Sequence, residues 1–359
     1  MRDLSQSDAI KPEVRGLTAY TLKHFKADVK LDQNENPYEL PADLKKEVVD
    51  RVLSRPWGRY PEFVPAATIR TLSTFTGWPE DGILVGNGSN ELIQASLTVT
   101  LGPGRRIAMP QPTFTLYKLM ATALQADVKD VFLNPADMSF DVDGLIEAAR
   151  TADVVVICTP NNPTGGLLER DALAAVLKHA KGLVLVDEAY HEFSEQTALP
   201  LLKEHRNLVV LRTFSKAMSM AGLRFGYMMA HPEIAREVNK GKLPYNVNIF
   251  TLAAAEVVIE RRSVLKEAIS TLIRERDRVA GELRKRRAIE VFPSRANYLL
   301  IRTAKSAREL FDGLYAQGIL VRDVSSYPLL ERCLRVSIGL PEENDRFLRA
   351  LDCALETKK

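Results

Sequence analysis

A chain of 359 residues, 46% apolar and 26% charged, has ample material for a folded core and exceeds the roughly 250–300 residues that one core usually organises. Two unequal domains are therefore expected. A scattered net charge of +3 does not suggest a nucleic-acid surface, and the basic run at 281–287 continues a helical pattern that reads as a solvated face. Cys158, Cys333 and Cys353 are far apart, without paired spacing, so no structural metal is expected. The polar start MRDLSQSDAI and the absence of any run near the roughly 18 apolar residues of a membrane span point to a cytoplasmic protein.

Along the chain, the first 35 or so residues have weak periodicity, as in an arm or an addition to a smaller layer. From about 80 to 230, short apolar runs alternate with helical patterns: ILV at 83–85, RIAM at 106–109, VVVIC at 154–158, LVLVDE at 183–188, NLVVLRTF at 207–214 and FGYMMA at 225–230. Continuous Val/Ile/Leu runs belong to strands covered on both faces, so a largely parallel sheet flanked by helices is expected, with ligands at the carboxyl ends of its strands. After about 245 comes a long helical stretch over 248–286. Short strands near 289–301 and 319–322, a helix near 306–317 and a strand in CLRVSIG at 333–339 follow. The expected division is an arm and part of a small domain over 1–50, a large domain over 51–245 and a small α+β domain over 246–359.

Several turns between these elements carry chemical possibilities, each with a plain structural alternative. RYPE at 59–62 offers the Tyr60 hydroxyl to a phosphate, or is a surface turn. GNGSNE at 86–91 opens a helix whose first amides, at Ser89 and Asn90, suit an anion, although the spacing is not that of a dinucleotide fingerprint. Phe114 in PQPTF either covers a flat ring or fills the core. TPNNPTG at 159–165 places Asn162 before a proline, which biases it to an extended conformation, or is punctuation. Asp187 ends a run too apolar to carry charge without a purpose and suits a protonated ring nitrogen, with Tyr190 three residues on; the alternative is a helix cap. Lys216 follows a buried strand, where desolvation would make its amine nucleophilic. Ser215 and Arg224 stand beside it, suited to hold a phosphate; the alternative is a loop lysine in solvent and a glycine that packs a helix.

Taken in order, GNGSNE, PTF, TPNNPTG, DEAY, SKxxxxxGLRxG and LRVSIG resemble the fold type I pyridoxal-phosphate-dependent aminotransferases over nearly the whole chain. The resemblance implies an α/β fold with a mostly parallel central sheet and a smaller α+β domain. It also implies pyridoxal 5'-phosphate held by Lys216 as a Schiff base. Asp187 would meet the ring nitrogen, Asn162 and Tyr190 the phenolic oxygen, and Phe114 the ring face. Ser89, Asn90, Ser215 and Arg224 would bind the phosphate, joined by Tyr60 of a neighbouring subunit in a homodimer.

Within this superfamily LTAYTLKH, LDQNENPYEL, RYPE, KLPYNVN and the segment at 321–351 resemble the histidinol-phosphate aminotransferases. That narrower likeness implies substrate reading by Tyr20, Asn36, Arg322 and Arg335, the arginines pairing with carboxylate or phosphate. The implied reaction converts L-histidinol phosphate and 2-oxoglutarate to imidazole acetol phosphate and L-glutamate, in histidine biosynthesis. Aromatic amino-acid transamination and threonine-phosphate decarboxylation are the alternatives. Two positions depart from the usual pattern: Asn90 stands where aspartate is common, and Leu340 follows Gly339.

Overall fold

The computed structural model describes residues 10–19 and 25–356. A short strand β1 (Val29–Leu31) comes first, followed by seven strands: β2 (Ile83–Asn87), β3 (Arg106–Gln111), β4 (Asp127–Phe132), β5 (Val154–Cys158), β6 (Leu183–Asp187), β7 (Leu208–Thr213) and β8 (Phe225–Ala230). These seven form one sheet in the order β2-β8-β7-β6-β5-β3-β4. Neighbours from β4 to β7 run parallel, while β8 runs antiparallel to both β7 and β2.

Every residue of β5, β7 and β8 is buried. Alternate side chains supply opposite faces: Val155, Ile157, Val184, Val186 and Val210 join one apolar cluster, while Val154, Val156, Leu185, Val209 and Leu211 join the other. With both faces covered by helices, no alternation with polar residues survives, which is why these strands read as continuous apolar runs. β4 is the exception. Its sequence DVKDVF lies at the sheet edge, partly exposed, and lacks the apolar run by which its neighbours were recognised.

A second sheet contains β9 (Ile289–Val291), β10 (Tyr298–Thr303), β11 (Ile319–Asp323) and β12 (Cys333–Ser337), in the order β1-β11-β12-β10-β9. Its strands pair antiparallel except β1, which runs parallel to β11. The helical stretch expected over 248–286 is two helices, Ile249–Glu260 and Lys266–Arg284, separated by a 3-10 turn at Arg262–Leu265. The first is buried almost all round against helices Ala42–Leu53 and Ala66–Thr76. The second keeps a wet face. The boundary lies where an all-round apolar pattern becomes one-sided, with neither glycine nor proline to mark it. Among the described residues no helix is long and apolar enough to cross a membrane.

The carboxyl ends of the parallel strands face the second sheet, and the helix Ser89–Thr100 begins at the same level, pressed against β8. A Cβ on Gly226 would collide with the backbone nitrogen of Ser89. Gly226→Ala should therefore cost about 1–3 kcal/mol, measured by urea unfolding, because the colliding partner is backbone and cannot rotate away.

Candidate active site

Between the two sheets lies a cavity of about 230 Å³ lined by residues from the ends of β5, β6 and β7, the start of the helix Ser89–Thr100, the segment after β1, and β11 and β12. Lys216 reaches it from the turn after β7. That turn is held by Thr213, whose Oγ1 accepts from the Ser215 amide at 3.1 Å and donates to the Phe225 carbonyl at 3.3 Å. The Lys216 Nζ donates to the Gln33 carbonyl at 2.7 Å and lies 5.9 Å from the centre of the Tyr190 ring. Burial, reinforced by the positive charges of Arg335 and Arg224, lowers its pKa from 10.5 to about 7.

One end of the cavity is built for an anion. The helix Ser89–Thr100 has no side-chain cap, and Ser89 and Asn90 of its first turn line the cavity. Its dipole and free first-turn amides favour negative charge. Arg224, in the left-handed region at φ 57°, donates through Nη1 to Ser215 Oγ at 2.9 Å and to the Ala221 carbonyl at 3.0 Å. Gly88 precedes the helix at φ 80°. A Cβ there would stand 2.6 Å from Arg224 Nη2, so glycine serves both the backbone conformation and the close approach of the guanidinium.

Asp187, at the end of β6, is buried beneath the cavity. Its Oδ2 accepts from the Tyr117 hydroxyl at 2.6 Å and its Oδ1 from the Ala189 amide at 3.1 Å. Burial raises its pKa, and the Tyr117 hydrogen bond is the strongest influence opposing that rise. Phe114 lines the cavity and meets Tyr117 edge to face, with centroids 5.5 Å apart. Tyr190 packs edge-on against Tyr298, and its hydroxyl accepts from Asn34 Nδ2 at 3.0 Å.

Asn162 accepts from Arg335 Nη1 at 2.7 Å through Oδ1. The same arginine donates through Nη2 to the Asp32 carbonyl and lies 5.4 Å from the Tyr298 ring centre, while its Nε has no partner among the described residues. Arg322 stands directly opposite Arg335 in the β11–β12 register, and both line the cavity. Like charges directly opposite one another in a sheet repel, and an anion between them would relieve the repulsion.

The structure thus brings Ser89, Asn90, Phe114, Asn162, Asp187, Tyr190, Ser215, Lys216, Arg224, Arg322 and Arg335 around one cavity. Tyr60 is not among them: it is 81% exposed and stacks on Tyr245, with centroids 4.6 Å apart. Asn36 does not line the cavity either. Its amide donates to the Ala217 carbonyl at 3.0 Å and its Oδ1 accepts from the Tyr38 amide, pinning the chain beside Lys216. Tyr20 lies outside the described residues.

Asp32, Gln33, Asn34, Tyr117, Cys158 and Thr213 also line the cavity but were not singled out from the sequence. A signal existed for Tyr117, three residues beyond Phe114 at the start of a helix, and for Asn34, inside the polar run DQNEN. Asn34 adopts φ 55°, a conformation asparagine tolerates, and Asn297 donates to its carbonyl.

The chain belongs to the class I and II aminotransferase family, whose model matches residues 26–351. Its relatives in that family include histidinol-phosphate aminotransferases. The one from Chlorobaculum tepidum is 43% identical over 328 residues, covering 90% of this chain and 94% of that protein. The crystal structure of histidinol-phosphate aminotransferase from Clostridium acetobutylicum superposes with a TM-score of 0.84 at 28% identity, covering 90% of this chain and 98% of that one. A histidinol-phosphate aminotransferase from Sinorhizobium meliloti in complex with pyridoxal-5'-phosphate gives a TM-score of 0.86, covering 98% and 99% of the two chains; at 22% identity it speaks for the fold alone.

The depressed pKa of Lys216 has a direct readout. In the cofactor-free protein, acylation of this amine should be half-maximal near pH 7 and complete by about pH 8.5, whereas solvent lysines respond near their usual value of about 10.4. Site-resolved mass spectrometry after short labelling pulses measures the difference.

Proposed function

We propose that the protein exchanges an amino group between L-histidinol phosphate and 2-oxoglutarate, giving imidazole acetol phosphate and L-glutamate, a step of histidine biosynthesis, with pyridoxal 5'-phosphate in the cavity described above. The observation that carries this reading is the arrangement, around one cavity, of a neutral-prone lysine amine, a buried carboxylate and an uncapped helix N-terminus. The residues fit the cofactor. A cradle kept open by Gly88 faces Arg224 at the phosphate end, and the buried Asp187 needs a cationic partner at the ring end.

Bound pyridoxal 5'-phosphate supplies a carbonyl that condenses with amines and a ring that accepts electrons. The amides of Ser89 and Asn90, the Ser215 hydroxyl and Arg224 hold its phosphate. Asp187 would keep the ring nitrogen protonated, Phe114 would cover the ring, and Asn162 and Tyr190 would meet the phenolic oxygen. Lys216 would anchor the carbonyl carbon. As a free amine its Nζ would accept the proton from the substrate Cα, and a pKa brought to about 7 by burial and the charges of Arg335 and Arg224 leaves it unprotonated for that task at mildly alkaline pH.

Arg322 and Arg335, with Tyr20, bind the anionic group of each substrate, carboxylate in glutamate and phosphate in histidinol phosphate; Asn36 acts in this reading by fixing the loop that borders the substrate. The exposed aromatic surface formed by Tyr60, Phe63 and Tyr245 supports a homodimer in which Tyr60 reaches the phosphate of the neighbouring subunit. A cytoplasmic location goes with this biosynthetic role.

A coupled assay tests reaction and substrate together. The kcat/KM for histidinol phosphate with 2-oxoglutarate should exceed those for phenylalanine and tyrosine; preference for the amino acids would make this an aromatic aminotransferase, and carbon dioxide release without 2-oxoglutarate a decarboxylase. Lys216→Ala should lower kcat by about four orders of magnitude while the protein stays folded. Normal turnover by that variant would sink the assignment.

A further inference from the structure

Tyr117 has no part in the chemistry described so far, yet it makes the short contact to the buried acid. Its side chain is fully buried, and its hydroxyl stands 2.6 Å from Asp187 Oδ2. We propose that Tyr117 is a positioning residue for Asp187: its hydroxyl keeps the carboxylate ionised and turned so that it can hold a protonated ring nitrogen. This inference rests on the reading of the cavity as a pyridoxal-phosphate site.

The direction of the hydrogen bond follows from the surroundings. Burial and the negative charge of Asp187 push the Tyr117 phenol up, so it remains protonated and must be the donor. Asp187 needs that donor. Desolvation penalises its ionised form, and Glu188, the next residue, adds repulsion. Opposing these are the Tyr117 hydroxyl, the Ala189 amide and, more weakly, the charge of Lys216. On the β5 side Cys158 is in register with Asp187, but burial pushes its thiol up and its Sγ donates to the Pro160 carbonyl, so it contributes no charge. Without the Tyr117 hydroxyl, one amide hydrogen bond and a distant ammonium would stand against full desolvation.

The local sequence makes the support economical. Tyr117 lies in the first turn of the helix Leu116–Ala123, three residues after Phe114, and the two rings meet edge to face. The turn after β3 that places Phe114 against the cavity also places a phenol beneath the carboxylate.

Tyr117→Phe removes the oxygen and keeps the ring, so a purely space-filling role would leave it silent. The holoenzyme is loaded with pyridoxal 5'-phosphate carrying ¹⁵N in the ring, and three quantities are read: the ring-nitrogen chemical shift near pH 8, the dissociation constant of the cofactor, and kcat and KM for histidinol phosphate. Expected for Tyr117→Phe are a shift toward the unprotonated value, cofactor binding weakened about tenfold to a hundredfold, and kcat lowered with KM within about twofold. An unchanged ring-nitrogen shift together with unchanged cofactor affinity would overturn the proposal.

Should the phenylalanine variant fail to fold, 3-fluorotyrosine at position 117 preserves the shape and strengthens the donor. It should hold the ring-nitrogen signal at the protonated value and tighten cofactor binding relative to wild type; a shift toward the unprotonated value, or weaker binding, overturns the proposal. Failure of the wild-type chain to bind the labelled cofactor would instead defeat the reading of the cavity; wild-type binding with both ring-nitrogen shift and affinity unchanged in Tyr117→Phe defeats only the role of Tyr117.

Discussion

The amine of Lys216 is held away from water near two guanidinium groups, and the surrounding architecture makes that arrangement tolerable. A lysine in this position would keep its charge if it could reach solvent. The Gln33 carbonyl instead accepts a hydrogen bond from it, while burial and the charges of Arg335 and Arg224 disfavour a full ammonium. That balance requires a second sheet pressed over the strand ends of the first, because β7 alone would present the lysine on an open rim. The central sheet, β1 with the segment behind it, and the β11–β12 pair all serve to enclose one nitrogen atom.

The closure is polar. Asn34 donates to Tyr190, accepts from Asn297 through its carbonyl, and exchanges hydrogen bonds with Ser337, while Arg335 spans from Asn162 to the Asp32 backbone. These bonds join the second sheet to the turns after β5 and β6, so the side chains that surround the cavity also tie the layers together. The unpartnered Nε of Arg335 and Oδ1 of Asp32 lie along the same seam. A junction of this kind trades some stability for directional groups aimed at a ligand, as expected where a protein must grip a small molecule between two rigid bodies.

Much of this was legible from residue order. Apolar runs located β2, β3 and β5 to β8 because burial on both faces leaves no polar alternation, and the turns after them carried lysine, aspartate, asparagine and glycine in a recognisable sequence. β4 escaped because an edge strand with DVKDVF resembles a loop. The break between the helices Ile249–Glu260 and Lys266–Arg284 escaped because only the pattern of burial changes there. Tyr117 and Asn34 were missed for a different reason. Their importance lies in a partner distant along the chain, Asp187 for one and Ser337 for the other, and nothing local reveals such a partner. Tyr60 was legible as a motif, but a single chain leaves it facing solvent, far from the cavity.

The pairing of Asn34 with Ser337 joins residues 303 positions apart and has a consequence for biogenesis. During synthesis the strands of the large sheet emerge close together and can pair as they appear, whereas β1 must wait for β11 and Asn34 for β12. Until then the amino-terminal segment carries an unmatched strand edge, and the pocket around the lysine has no roof. The cavity around the lysine therefore closes only after β12 has left the ribosome, 303 residues behind the segment it pairs with.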